Sequence, residues 1–322
     1  MKKSKRTTLF LLSMLLLISL SITFFLWKSD RKTPLLRTKV WSIGIYTGDS
    51  PLHLFQPACL INPVLTAQHV TDVPAGYVAD PFMILADNIW YMFFEVFNNH
   101  TGHGDIALAV SQDGYHWEYR QIVLDKPYHL SYPFVFQWRG SFYMIPESYQ
   151  SQSVQLFLAD EFPIRWSCVG LIMEGNFVDS TLVHSDNKFW LFAESNPEGN
   201  DRLSLFYAEA LTGPWMAHPR CPVVKNDGNA ARPAGRIIRS GEHFLRYAQD
   251  DLPEYGNRIR AFEIRYLTLD AYEEQEVIMN PLLKGDGKGW NADGMHHIDC
   301  HQLDDGTWIA CVDGYRFVPI DK

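Results

Sequence analysis

From Lys39 onward the chain alternates short apolar or in-out-patterned runs with Gly, Asp-Asn and Asp-Gly turns. No long stretch keeps a 3.6-residue period, so the pattern predicts an all-β body. One hairpin recurs at intervals of about fifty residues. Its copies are DPFMILADNIWYMFFE from Asp80, YPFVFQWRGSFYMIPE from Tyr132, DSTLVHSDNKFWLFAE from Asp179, RPAGRIIRSGEHFLRYAQ from Arg232 and HIDCHQLDDGTWIACVDG from His297. Each reads as a strand, a polar two-residue turn and an aromatic-rich returning strand. Three are followed by a shared Ala…Trp element (Ala109 to Trp117, Ala159 to Trp166, Ala208 to Trp215), which the fourth replaces with LTLDAYEE from Leu267. Repeats of this size, with about four strands each, are the signature of propeller blades. The expected fold is a five-bladed β-propeller over residues 40–322. Little chain follows Gly314, while VWSIGIY (Val40 to Tyr46) has no blade of its own; this strand is expected to complete the fifth blade and close the ring. A β-sandwich predicts no such five-fold regularity.

A two-residue turn in each hairpin fixes the rest of its register. Asp80 then faces Glu95, Tyr132 faces Glu147, Asp179 faces Glu194, Arg232 faces Gln249, and His297 faces Gly314. Innermost strands line a propeller's channel, so these residues gather at one mouth of it. Pro81, Pro133 and Pro233 follow three of them, as suits a strand whose outer edge is unpaired. Strands that end in water also end in polar residues, which would explain any one of these positions alone. It explains less well two directly opposed acid pairs, because like charges across strands destabilise a sheet. Such a pair persists when one member is protonated, when a cation bridges it, or when function maintains it. Carboxyl groups gathered in this way mark a candidate active site. The same register sets Cys300 opposite Cys311, which would permit a strained cross-strand disulfide in an oxidising compartment.

The N-terminus changes the picture of location. Lys2, Lys3, Lys5 and Arg6 (in a tail of residues 1–6) precede an uncharged run from Thr7 to Trp27, long enough to cross a bilayer as a helix. A linker of residues 28–39 follows, with no convincing cleavage site. Positive charge before the span favours leaving that side in the cytoplasm, so a single-pass membrane anchor with an extracytoplasmic propeller is expected; a cleaved signal peptide would export the body equally. The formal charge of −9 over 322 residues offers no general attraction to nucleic acid. The five cysteines show no C-x-x-C spacing or Cys/His cluster. No metal or cofactor is expected.

Asp80-Pro81, Asp179, the S-x-D-G-x-x-W element from Ser111 to Trp117, and His297 resemble the five-bladed glycoside hydrolases of the arabinanase/xylosidase and invertase type. More specifically, Tyr132 to Ser148 together with GYVADPF (Gly76 to Phe82) is similar to the propeller-like N-terminal domain of glucosamine inositolphosphorylceramide transferases. The first resemblance implies a general base at Asp80 and, at Asp179, a residue that tunes the acid and orients the sugar. The general acid of those hydrolases is a Glu opening the fourth blade, where this chain has Arg232. In the transferases, the transfer chemistry belongs to a separate exostosin-like domain.

The expected function is therefore that of an exported glycan-active protein, hydrolase-like and inverting. Asp80 would be the base and Glu147 the first choice of acid, since Tyr132 opposite and Pro146 beside it disfavour ionisation. Glu194, facing Asp179, is the second choice. Glu95, Tyr132, Gln249 and His297 would contact the sugar, and the Arg232 fork suits an anionic group. The alternative is a non-catalytic glycan-binding module supporting a separate glycosyltransferase in surface polysaccharide or glycolipid synthesis.

Overall fold

The computed structural model describes residues 37–320, of which Lys39–Arg316 form one compact unit and residues 37–38 and 317–320 fall in another. The expected membrane-spanning run of residues 7–27 lies outside the described residues. Among the described residues no helix is long and apolar enough to cross a membrane.

The long unit is an all-β ring of five antiparallel sheets. Blade 1 runs through Ala75–Ala86, Ile89–Asn98, His103–Ser111 and Glu118–Leu124, and blade 2 through Ser131–Trp138, Ser141–Glu147, Ser153–Glu161 and Arg165–Glu174. Blade 3 starts with Val178–Ser185 and Lys188–Glu194, and blade 4 with Ile238–Ser240 and His243–Asp250. Blade 5 takes its inner strands, Ile298–Gln302 and Trp308–Pro319, from the end of the chain and its outer ones, Arg37–Ser50 and His53–Phe55, from the beginning. The N-terminal strand thus closes the ring, as its repeat-less sequence predicted, and removes two open sheet edges. Its apolar side is buried: Ile43 and Ile45 have no exposed surface.

The expected register holds near the turns of the first three blades and fails by one residue at the mouth. Ala86 pairs with Ile89, Trp138 with Ser141, and Ser185 with Lys188. Beyond a bulge, however, Glu95 lies opposite Ala79, Glu147 opposite Ser131, and Glu194 opposite Val178. The extra residue is the one expected to face the acid. Asp80, Tyr132 and Asp179 all adopt positive φ, at 52°, 43° and 53°. A bulge of this kind re-aims side chains, and positive φ is uncommon for residues with a Cβ. The opposed acid pairs are therefore not direct cross-strand partners; the bulge turns each inner-strand residue away from its glutamate.

Blade 4 turns at Gly241-Glu242, one residue later than expected, so Ser240 pairs with His243. The slip is absorbed before the mouth, where the Gln249 amide donates to the Arg232 carbonyl at 2.8 Å. Between them Gly235, at φ +142°, passes so close to blade 5 that a Cβ would lie 1.7 Å from the Ile298 carbonyl oxygen. Blade 5 has a longer turn, closed by Leu303 and Thr307, and its register moves by one. His297 pairs with Asp313, not Gly314, and Cys300 faces Ala310, not Cys311. All five cysteines are free, so the cross-strand disulfide does not form.

Further along the inner strands the channel is filled. Arg236 of the blade 4 segment donates to Asp299 at 2.8 Å and to the Val135 carbonyl at 3.0 Å, while Asp299 accepts from the Met83 amide at 2.8 Å. Four blades meet in this one ion pair. Burial pushes the Asp299 carboxyl up, but Arg236 and His301 more than offset it and hold the group well below the usual carboxylate range. A buried pair satisfied in this way costs several kcal/mol to break from one side, because it strands a charge.

Candidate functional site at the channel mouth

The bulges bring the mouth residues around a cavity of about 200 Å³. Asp80, Glu95, Glu147 and Arg232 line it, and Tyr77, His129, Ser131, Tyr149 and Tyr255 complete the polar lining. Four of the sequence-predicted residues thus share one pocket.

Asp80 is almost fully buried, at 5% exposure. Its carboxylate accepts from the Tyr132 amide at 3.3 Å, and its own amide donates to Asp313 at 3.1 Å. The bulge amides of blades 1 and 2 are thereby each tied to a carboxylate of the preceding blade. His296 places Nε2 3.6 Å from Asp80 and Nδ1 2.8 Å from Asp313. Burial dominates and, despite His296, lifts the Asp80 carboxyl to about 7. Asp80, His296 and Asp313 present ligand atoms within 4.8 Å of one another, a grouping that could hold a cation.

Glu147 accepts from the Tyr149 amide at 2.8 Å and from the Ser131 hydroxyl at 3.1 Å. Burial outweighs these bonds and raises it to about 7. Glu95 accepts from the Tyr77 hydroxyl at 3.1 Å; burial and the neighbouring Asp80 push it well above the usual carboxylate range.

The remaining predicted residues serve otherwise. Asp179 is held by Arg232 Nε at 2.5 Å and by Gln249 at 2.8 Å, and Arg232 also donates to Asn200 at 3.0 Å. Burial opposes the charge on Arg232, but Asp179 more than compensates, so the guanidinium stays a cation over the Tyr255 ring. Glu194 is fully buried off the cavity, accepting from the Asn196 and Arg202 amides, and burial raises it to about 7. The Tyr132 hydroxyl bonds Thr181 at 2.7 Å and the Gly235 carbonyl at 3.1 Å, deep between the blades. His297 has no exposed surface and packs edge-on to Phe82 and Tyr132; burial lowers it to about 4. The opposed-residue rule missed His129, Tyr77 and the His296–Asp313 pair. The His-His dipeptide marked the last of these; His129 lies in a blade-to-blade connection with no counterpart among the repeats.

The fold is a five-bladed β-propeller whose mouth gathers buried carboxyl groups and one arginine around a cavity. Among solved structures it is similar to a Cellvibrio cellulosa α-L-arabinanase mutant (TM-score 0.54, 15% identity, 76% of this chain and 92% of that one). It is also similar to Zg3597, a family 117 glycoside hydrolase from Zobellia galactanivorans (TM-score 0.51, 15% identity, 76% and 88%). At these identities the likeness is one of fold. Residues 37–315 match the family model described as glucosamine inositolphosphorylceramide transferase 1, N-terminal, and the chain belongs to that family. The transferases of that name from Oryza sativa subsp. japonica and Arabidopsis thaliana are each 35% identical to it across 86% of this chain. The chain spans about two fifths of their length, 40% and 39% respectively.

Proposed function

We propose that the ring is a glycan-active domain that hydrolyses a glycosidic bond in the mouth cavity, with Asp80 as base and Glu147 as acid. The carrying observation is that these two carboxyl groups line one pocket and both have pKa values raised to about 7. A base must be ionised and an acid protonated at working pH, and carboxyls poised near neutrality can divide those roles. Arg232, bound to Asp179, holds the sugar in place of the acid that the resemblance led one to expect at that position. The charge-flanked run of residues 7–27 supports a membrane anchor with the ring on the extracytoplasmic side, acting on glycan or glycolipid.

One observation favours a second reading. The Arg232–Asp179 pair neutralises the carboxylate that would otherwise tune an acid. A module so altered would bind glycan without cleaving it, for a separate glycosyltransferase.

Paired variants test the acid. Glu147→Gln should abolish hydrolysis of a natural glycan yet keep most of it on an aryl glycoside, whose leaving group needs no protonation. Glu194→Gln should leave turnover intact and act on stability instead. The folded Glu194 titrates near 7 and the unfolded one near 4, so the native state holds the extra proton between those values. Glu194 therefore favours folding below about pH 4 and loses that contribution as pH rises to about 7. The glutamine variant should melt several degrees higher than the unaltered protein at pH 8, and the difference should shrink towards pH 4. A turnover defect in Glu194→Gln with none in Glu147→Gln would reverse the assignment.

A further inference from the structure

We propose that His129 is a fixed hydrogen-bond donor to a neutral hydroxyl of the bound glycan, seated between Glu95 and Glu147. The inference rests on the glycan reading for its ligand, but its basis is the geometry of the ring itself. His129 Nδ1 accepts the Gly104 backbone amide at 2.9 Å. A backbone N–H can only donate, so the lone pair of Nδ1 is taken and the ring proton sits on Nε2. The residue is also pinned through its own amide, which donates to the Gln150 side chain at 2.9 Å.

Glycine at 104 makes this approach possible. A Cβ there would lie 2.4 Å from the Leu130 carbonyl oxygen and 2.9 Å from His129 Cε1, so any other residue would push the ring off its anchor.

The Nε2–H group faces the cavity that His129 lines. Nε2 stands 3.7 Å from Glu95 Oε1 and 3.9 Å from Glu147 Oε2, beyond hydrogen-bond reach of either. Its proton is therefore claimed by neither of the two carboxyl groups that line the same cavity, and is left for a ligand atom there. An atom there must accept from the imidazole and also tolerate, or donate to, the flanking carboxyls. A sugar hydroxyl does both; an anionic oxygen does only the first and is repelled as the carboxyls ionise. This part of the cavity thus selects a neutral hydroxyl, while Arg232 adds a cation to the lining. The charged or titratable neighbours of the ring are Glu95, Glu147, His103, Asp179 and Arg232; burial is the largest influence keeping it neutral, His103 and Arg232 act with it, and Asp179 acts against it.

Two measurements on the full chain in detergent decide the matter. Long-range ¹⁵N–¹H NMR of labelled histidines should show His129 as the neutral Nε2–H tautomer, unchanged from about pH 8 to about pH 5.5. An Nδ1–H tautomer, or titration near the ordinary histidine value of about 6.5, would overturn the donor assignment. Calorimetric titration with arabinobiose and with glucosamine should then show about tenfold weaker binding for His129→Phe. His129→Gln, which returns an N–H near the Nε2 position, should recover most of the loss. Equal loss in both variants would refute the donor role. If the unaltered protein binds neither sugar while the NMR result holds, the glycan reading falls and takes the ligand half of this inference with it.

Discussion

Asp80→Asn is expected to lower glycan turnover by ~10²–10⁴-fold, the usual worth of a general base, with fold and glycan affinity nearly unchanged. The substitution is close to isosteric. Asparagine keeps an oxygen for the Tyr132 amide, and Asp313 still holds the residue 80 amide and His296. Only the proton-accepting capacity is lost. In the unaltered protein that capacity depends on pH, because burial raises Asp80 to about 7. Below that value the base is protonated and idle; above about 7 Glu147 ionises and the acid is lost. Turnover should accordingly trace a narrow bell near neutrality. Initial rates on a glycan substrate between about pH 5 and about pH 9 would show it. Unchanged turnover in Asp80→Asn would remove Asp80 from the chemistry.

The second large effect is on folding. Deleting Val40–Tyr46 should leave no cooperatively folded ring. The segment carries Trp41, Ile43 and Ile45, all buried, and burial of each such side chain contributes roughly 1.5–3 kcal/mol. Their sum is comparable to the total stability of an ordinary domain, about 5–15 kcal/mol. The deletion also opens blade 5, because the strand sits between Trp308–Pro319 and His53–Phe55. It further removes the pairing of Ile43 with Leu65. A thermal melt should lose its cooperative transition, and limited proteolysis should degrade the body. A truncated protein that melts within a few degrees of the full chain would mean that the ring closes without this strand.

The ring was legible because repetition carries it: five hairpins of one design need five sheets, and an orphan strand needs a sheet to join. The mouth was legible in its membership but not in its geometry. Counting back from a two-residue turn assumes one residue opposite one residue. At Asp80, Tyr132 and Asp179 a bulge sets two residues where the count allows one, and the Pro after Asp80 and Tyr132 accompanies that bulge as well as an unpaired edge. That shift decides the chemistry, since it turns Asp80 towards His296 and away from a cross-strand contact with Glu95. Blade 5 misled for a simpler reason: Leu303 and Thr307 close a longer turn, which parts Cys300 from Cys311. His129 and Tyr77 were out of reach of any repeat argument. His129 enters from the connection between blades 1 and 2 and Tyr77 from the start of the inner strand Ala75–Ala86, ahead of the repeated hairpin, and only the folded ring decides that they converge.

The central claim is that a glycan occupies the mouth cavity with its scissile bond between Asp80 and Glu147. A crystal structure of the Asp80→Asn protein with a bound oligosaccharide tests it most directly. The account predicts a sugar ring in contact with residue 80, Glu147, His129 and Arg232, with Glu194 untouched. It also predicts roughly 6.5–9.5 Å between the carboxyl groups at positions 80 and 147, the separation that admits a water in an inverting site. A sugar bound elsewhere on the ring, or one whose glycosidic oxygen lies out of reach of Glu147, would contradict it.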